Sequence, residues 1–387
     1  MRLSTVIRGW LALSTLYSLG CAKAAVASPD AAPPTSGGPQ MAVPKAPPPR
    51  GPDGPITAAE RDEAVEALAR ALTAKYVFPD KANEVARAIR ARRKRGEYDK
   101  ITTGHALATT LTNDINEVLR DAHFHVRFSK ETLPPQETEG KPSAEELARF
   151  EDFSRRMNGG FEKVERLPGN IGYLEVRGFA FPGRGFEAAS AAMAFLAETD
   201  ALIVDLRRNG GGSPEMVAYL CSYLFDERVH LNDLYFRPAD ETRQFWTAPV
   251  PGKSYVGREV YVLTSPRTGS AAEEFAYNLK NLKRATIVGE VTWGGANPGD
   301  MVRLGDHFRA FVPTGRAINP ISKTNWEGGR ATRHRSAGRG RAAGGPGQAD
   351  RAADRQGDGP GAEGGAGGAA PRAAAEVRRG RAGGYVR

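Results

Sequence analysis

The feature that most constrains this chain is a buried strand that runs straight into a string of glycines. Ala201-Leu202-Ile203-Val204-Asp205-Leu206 is continuously apolar apart from Asp205, and it stops at Asn209-Gly210-Gly211-Gly212 before a helical pattern resumes. Around it the texture from Asn170 onward alternates. Ile171 to Val176 reads as a strand, Phe186 to Glu198 as a helix, Val260 to Thr264 as a strand, a helix begins near Ser270, and Ala285 to Val288 closes the run. That order describes an α/β core of roughly 160 residues.

Upstream the periodicity is helical. Thr57 with Glu60 predicts a capping box, followed by Val65, Leu68 and Leu72 on one face. Pro79 and Asp80 open a second helix through Val85 and Ile89. A third carries Leu107, Leu111, Ile115 and Val118. These three helices predict a small bundle at about 57–120. The polar stretch 130–165 holds one helix, Ser143 to Met157, and is too short for another sheet domain.

The organisation expected is therefore an export signal at 1–27, a Pro/Ala-rich linker at 28–55, a helical cap at 56–130, a connector at 131–165, an α/β core at 166–328, and a Gly/Ala/Arg-rich disordered tail at 329–387. Arg2 and Arg8 precede an apolar run from Gly9 to Gly20, and Ala25-Val26-Ala27 offers a cleavage site. Leu19-Gly20-Cys21 can instead be a lipoprotein box with Cys21 acylated, so the location expected is periplasmic or outer-membrane. No later apolar run reaches the roughly 18 residues needed to span a bilayer. With only Cys21 and Cys221, neither a disulfide scaffold nor a cysteine-built zinc site is available, and Cys221 reads as a small buried hydrophobe. No cofactor and no metal are expected.

The net charge of +9 does not indicate a nucleic-acid partner. Residues 329–387 hold 12 Arg against 5 Asp or Glu, so the preceding 328 residues carry only +2. The tail lacks the interleaved aromatics of a nucleic-acid-binding segment. It contains 16 Gly and 15 Ala, too little apolar surface to offset an ordering cost of roughly 1–2 kcal/mol per residue.

Two strand ends carry the candidate chemistry. Three glycines after a buried strand let a backbone amide approach a developing oxyanion. The second segment runs Thr264-Ser265-Pro266-Arg267-Thr268-Gly269-Ser270-Ala271-Ala272-Glu273-Glu274. A serine at the first turn of a helix is placed to act as a nucleophile, although Ser270 with Glu273 also fits a plain N-cap, and spacing alone favours the cap.

In this order, roughly 60 residues apart, the two segments resemble the tail-specific (C-terminal processing) serine protease family, most closely its interphotoreceptor-retinoid-binding-protein-like branch. Further matching stretches are Lys75 to Pro79, Asp121-Ala122-His123, Gly289 to Ala296, Asn319-Pro320 and Asn325-Trp326-Glu327-Gly328. The resemblance covers residues 57–328. It implies a core like that of ClpP and crotonase, built of repeated strand-strand-helix units, under the N-terminal helices. Ser270 falls on the family's nucleophile. Ser–Lys members carry their lysine 25 residues after the serine, where this sequence has Gly295. Lys280 and Lys283 lie on the nucleophile's own helix, about 15 Å or more along it. The tricorn-like branch instead uses a histidine from the cap, oriented by a late glutamate, and His123 and Glu327 hold those positions. The implied oxyanion hole is the amides of Gly211 (or Gly210) and Ala271. The PDZ module of many relatives is missing, which leaves substrate selection by a C-terminal tail without its usual reader.

The expectation is an exported serine endopeptidase acting on peptides through Ser270, His123 and Glu327. The alternative is a non-catalytic module for apolar ligands on the same fold. After Gly328 the resemblance stops. Codons for Gly329 to His334 read from their second base permit Gly-Val-x-Pro-Asp-Ile, the family's continuation, so a frameshift is expected there. Its consequence would be an uncovered sheet edge and weakened activity.

Overall fold

The structure is a computed structural model, and it describes residues 43–134, 144–179 and 183–329. The export segment with Cys21 and the tail from residue 330 lie outside the described residues, as does residues 28–42 of the expected linker.

Three helices open the fold: α1 (Ala58–Lys75), α2 (Pro79–Lys94) and α3 (Gly104–Leu119). The capping box at α1 forms as expected, with the Glu60 amide donating to Thr57 Oγ1 (3.2 Å) and the Thr57 amide to Glu60 Oε2 (2.7 Å). Leu68, Leu72, Leu107, Leu111 and Ile115 are all buried, each contributing about 1.5–3 kcal/mol by leaving water. Strand β1 (His125–Phe128) follows, then helix α4 (Ala144–Arg156).

The α/β core comprises β2 (Phe161–Leu167), β3 (Ile171–Val176), α5 (Arg184–Leu196), β4 (Ala201–Asp205), α6 (Pro214–Ser222), β5 (His230–Phe236), β6 (Glu241–Trp246), β7 (Glu259–Thr264), α7 (Ala271–Asn281), β8 (Thr286–Gly289), β9 (Gly299–Arg303), β10 (Phe308–Pro313) and β11 (Gly315–Ile318). Its main sheet has the order β2-β3-β4-β7-β8, with β2 antiparallel and the other pairings parallel. The glycine-ending strand β4 is central, as its continuous apolar run requires. Cys221, in the last turn of α6, is buried in the core.

Three features were not anticipated. Strand β2 pairs with β3 from within the expected connector. Strands β5, β6 and β11 form a separate three-stranded sheet. The third sheet, β1-β10-β9, joins the cap's only strand to a hairpin from the far end of the core, so Val302, Leu304, Phe308, Ala310 and Val312 complete the cap's own hydrophobic cluster. Arg237 adds a second tie, donating to the carbonyls of Tyr76 (2.7 Å) and Thr73 (3.1 Å). Cap and core therefore share packing rather than meeting at residue 130. Residues 43–55 also lie along the cap, where the Ala46 amide donates to Asn113 Oδ1 (3.1 Å) and the Gly54 carbonyl accepts from Gly104 (2.9 Å).

Among the described residues β8 has a neighbour on one side only. Beside that open edge Val288, Val291 and Trp293 are 42%, 59% and 45% exposed. No helix of the described residues is long and apolar enough to cross a membrane.

Candidate active site

The loop after β7 is tied to the loop after β4 before it reaches Ser270. Thr268 Oγ1 donates to the Leu206 carbonyl (2.8 Å), Ser265 Oγ to the Arg207 carbonyl (2.6 Å), and the Gly269 amide to the Asn209 carbonyl (3.0 Å). Ser270 then starts α7 with φ 53° and ψ −123°, a conformation that costs a side-chain-bearing residue about 1–3 kcal/mol. The capping pair expected from spacing is present, with the Ser270 amide donating to Glu273 Oε2 at 2.9 Å. The same carboxylate accepts the amides of Gly294 (2.6 Å) and Gly295 (3.0 Å). Burial raises the Glu273 carboxyl to about 7 despite those donors.

The glycine loop abuts the serine. A Cβ on Gly211 would stand 2.7 Å from Ser270 Cβ and 3.0 Å from the Ala271 nitrogen, and its φ of +108° also favours glycine. The Gly211 amide is already donated to Asn209 Oδ1 (2.8 Å), because the Asn209 side chain folds back over its own turn. Gly210 makes no such bond among the described residues. Ala271, the first residue of α7, has an amide with no acceptor inside its helix.

His123 enters from the cap. Its amide donates to Asp121 Oδ1 (3.1 Å), and its ring lies edge-on to Trp293 (4.8 Å between centroids) and stacked on Phe311 (5.7 Å). Burial lowers its pKa to about 4, so the imidazole is neutral at neutral pH. No hydrogen bond joins Glu327 to that ring among the described residues, and Nδ1 of His123 is buried without a hydrogen-bond partner. Glu327 instead accepts the amides of Ala122 (3.2 Å) and Ala296 (2.7 Å), bracketing the histidine turn through backbone on both sides. The expected imidazole–carboxylate contact is thus replaced by a backbone clamp.

That clamp contains a second acid. Asn297 Nδ2 donates to Asp121 Oδ2 (2.9 Å) and to Glu327 Oε2 (3.3 Å), and the Tyr76 hydroxyl donates to Asp121 Oδ2 (3.2 Å). Burial raises Asp121 to about 6, and burial plus the Asp121 charge pushes Glu327 well above the usual carboxylate range. Two buried carboxyls bridged by one amide donor disfavour each other's ionisation.

Gly295 is where the two halves converge. Its amide shares Glu273 Oε2 with the Ser270 amide, and a Cβ on it would sit 2.7 Å from His123 Cε1 and 2.9 Å from His123 Nδ1. The imidazole fills the space a side chain at 295 would need, so a lysine there and a histidine at 123 exclude each other. Trp326 Nε1 donates to the Gly295 carbonyl (2.7 Å), fixing the loop from below. Trp293 bridges the site, with its ring edge 2.9 Å from where a Gly269 Cβ would stand. No hydrogen bond joins Ser270 Oγ to His123 among the described residues. Asp121, Asn297, Tyr76 and Trp293 were not singled out by sequence; Tyr76, Asp121 and Trp293 lay in quoted segments, with no periodicity or spacing to mark their roles. Among the described residues no cluster of three or more His, Cys, Asp or Glu side chains is placed to hold a metal ion.

Comparison with known proteins gives the following. Residues 170–331 match the model of peptidase family S41, and residues 57–154 match the N-terminal domain of peptidase S41 in eukaryotic IRBP. The tricorn protease of Thermoplasma volcanium is 30% identical over 131 residues, 34% of this chain and 12% of that protein, so the match spans a small part of the relative's length. Among solved structures, a Parabacteroides merdae protein assigned as a peptidase is 20% identical, with a TM-score of 0.49 over 70% of this chain and 87% of its own. The photosystem II D1 C-terminal processing protease is 18% identical, with a TM-score of 0.42 over 71% of this chain and 92% of its own.

Proposed function

The chain belongs to peptidase family S41 through residues 57–154 and 170–331, and from that premise we propose that it is an exported serine endopeptidase whose nucleophile is Ser270 and whose base is His123. Neutral His123 takes the Ser270 proton as Oγ bonds to the peptide carbonyl carbon. The resulting oxyanion faces the amides of Ala271 and Gly210. Collapse breaks the C–N bond, with His123 returning the proton to the leaving amine, and water then hydrolyses the acyl-enzyme by the same route. Glu327 and Asp121 act as positioning residues that hold the His123 turn. Residues 1–27 support export, with the mature protein periplasmic or anchored to the outer membrane at Cys21.

The observation that carries the reading is the Gly295 cradle. The place where Ser–Lys relatives carry a lysine is taken by the His123 ring, beside the loop that shares Glu273 with Ser270. A serine-directed fluorophosphonate tests it. Labelling that maps to Ser270 and disappears in Ser270→Ala supports the peptidase. Retention of an apolar ligand with no labelling would support a binding module instead.

A further inference from the structure

One face of the β1–β10 ribbon carries charge that nothing in the catalytic arrangement uses. Arg127 and Arg309 are direct cross-strand partners in the antiparallel register. Like charges so placed, with Cβ atoms about 5 Å apart, destabilise a sheet unless something neutralises them. A third guanidinium, Arg50, comes from the extended segment Ala46–Arg50, and Arg50, Arg127 and Arg309 together line a cavity of about 150 Å³. Among the described residues none of the three forms an ion pair. Burial and the charges of Arg50 and Arg309 lower the Arg127 pKa, and no acid offsets them. His105 also lines the cavity, and its Nε2 is buried without a partner. Asp53, 3.7 Å from His105 Nδ1, is engaged by the amides of Gly54 and His105 (both 2.9 Å).

The position of this cluster is informative. His125 Nδ1 lies 2.8 Å from the His123 carbonyl, and both rings stack on Phe311, at 5.8 and 5.7 Å. His123 lies in the turn before β1, and from His125 to Arg127 is two residues of strand, about 7 Å, with Phe311 opposite His125 and Arg309 opposite Arg127. A peptide running extended from Ser270 past the His123 and His125 rings has about two further residues to run before it reaches Arg127.

We propose that Arg50, Arg127 and Arg309 form an anion subsite that binds a carboxylate of the peptide substrate roughly three to four residues from the scissile bond. This rests on the peptidase reading, and it supplies a substrate-selecting element in a chain without a PDZ module. Guanidinium suits the task because its planar donors pair with a carboxylate in a bidentate fashion. The carboxylate is supplied either by the substrate's C-terminus or by an Asp or Glu side chain at that spacing.

The test uses full-length Ser270→Ala protein, which binds without turnover, and fluorescein-labelled ten-residue Ala/Leu peptides read by anisotropy. One peptide ends in a free acid and one in an amide. A third is amidated with an Asp three or four residues from the centre. At least one carboxylate-bearing peptide is expected to bind tenfold or more tightly than the neutral amide, and which one does so identifies the source. In Arg127→Gln/Arg309→Gln the gap should close to within about twofold. Thermal unfolding of this variant, expected at or above the parent's temperature once the repulsion is gone, shows that it is folded. Equal binding of acid and amide, binding of none, or a gap that survives the double substitution overturns the subsite. Fluorophosphonate labelling of the Ser270 protein is independent of these outcomes and decides the peptidase reading separately.

Discussion

Two serines in this chain follow a glycine, cap a helix and sit at the end of a parallel strand, yet they are built differently. Ser213, at the start of α6, has φ −78° and ψ 129°, and its hydroxyl accepts the Met216 amide at 3.3 Å. That is a relaxed structural cap. Ser270, at the start of α7, has φ 53° and ψ −123°, with Gly211 packed directly against its Cβ. The sequence motif is nearly the same in both places. What differs is the backbone into which each is forced, and strain of this kind concentrates at sites where a side chain must be presented rather than buried.

The largest test of the contrast is a pair of alanine substitutions. Ser270→Ala should lower peptide kcat/KM by about 10³-fold or more, with a stability change within about 1 kcal/mol. Ser213→Ala should leave turnover within about threefold while costing about 1 kcal/mol in thermal unfolding. Equal effects on turnover would break the comparison.

Glycine substitutions sharpen it. Gly211→Ala and Gly295→Ala place a Cβ within 2.7 Å of Ser270 or His123, and each should cost about 10²-fold in kcat through displacement of a reacting group. Gly210→Ala meets nothing within 4 Å and should cost less than tenfold. Steady-state kinetics on the three variants separates crowding from a general intolerance of the loop.

The pH dependence follows from the buried acids. Asp121 at about 6 and Glu273 at about 7 are raised above the ordinary carboxylate range, so their stabilising contribution is complete below about pH 4 and is lost as pH rises through 6 to 7. His123 at about 4 acts oppositely: its contribution is complete above about 6.5 and is lost as pH falls through 4. Carboxyls outnumber the histidine, so unfolding free energy should decline between about pH 4 and 7. Glu327→Gln, which removes one of the two clamp carboxyls, should flatten that decline in denaturant titrations.

The smallest effect concerns the open edge. Val288→Lys on β8 should reduce self-association in sedimentation or light scattering, with turnover unchanged within about twofold.

What could be read from sequence tracks how local the cause is. The cap helices were legible because Leu68, Leu72, Leu107 and Leu111 repeat at helical spacing and pack where that spacing puts them. Strand β4 was legible from its uninterrupted apolar run. The β9–β10 hairpin was not, because Arg309 and the short strands blur an alternation that only the cap's apolar face makes meaningful. In the site, Ser270 with Glu273 was visible at three-residue spacing, while assigning His123 needed the family resemblance. That Glu327 grips the amides of Ala122 and Ala296 rather than the imidazole depends on contacts across some 200 residues, which no local pattern encodes.

The central claim is that a cap histidine activates a core serine, and the rate of Ser270 acylation by a fluorophosphonate, followed from pH 3.5 to 8 in the parent and in His123→Gln, tests it most directly. The account predicts a parent rate that falls only near pH 4, where His123 takes up a proton, and a His123→Gln rate about 10²-fold lower with that fall abolished. A His123→Gln protein that acylates as fast as the parent across the range would contradict it.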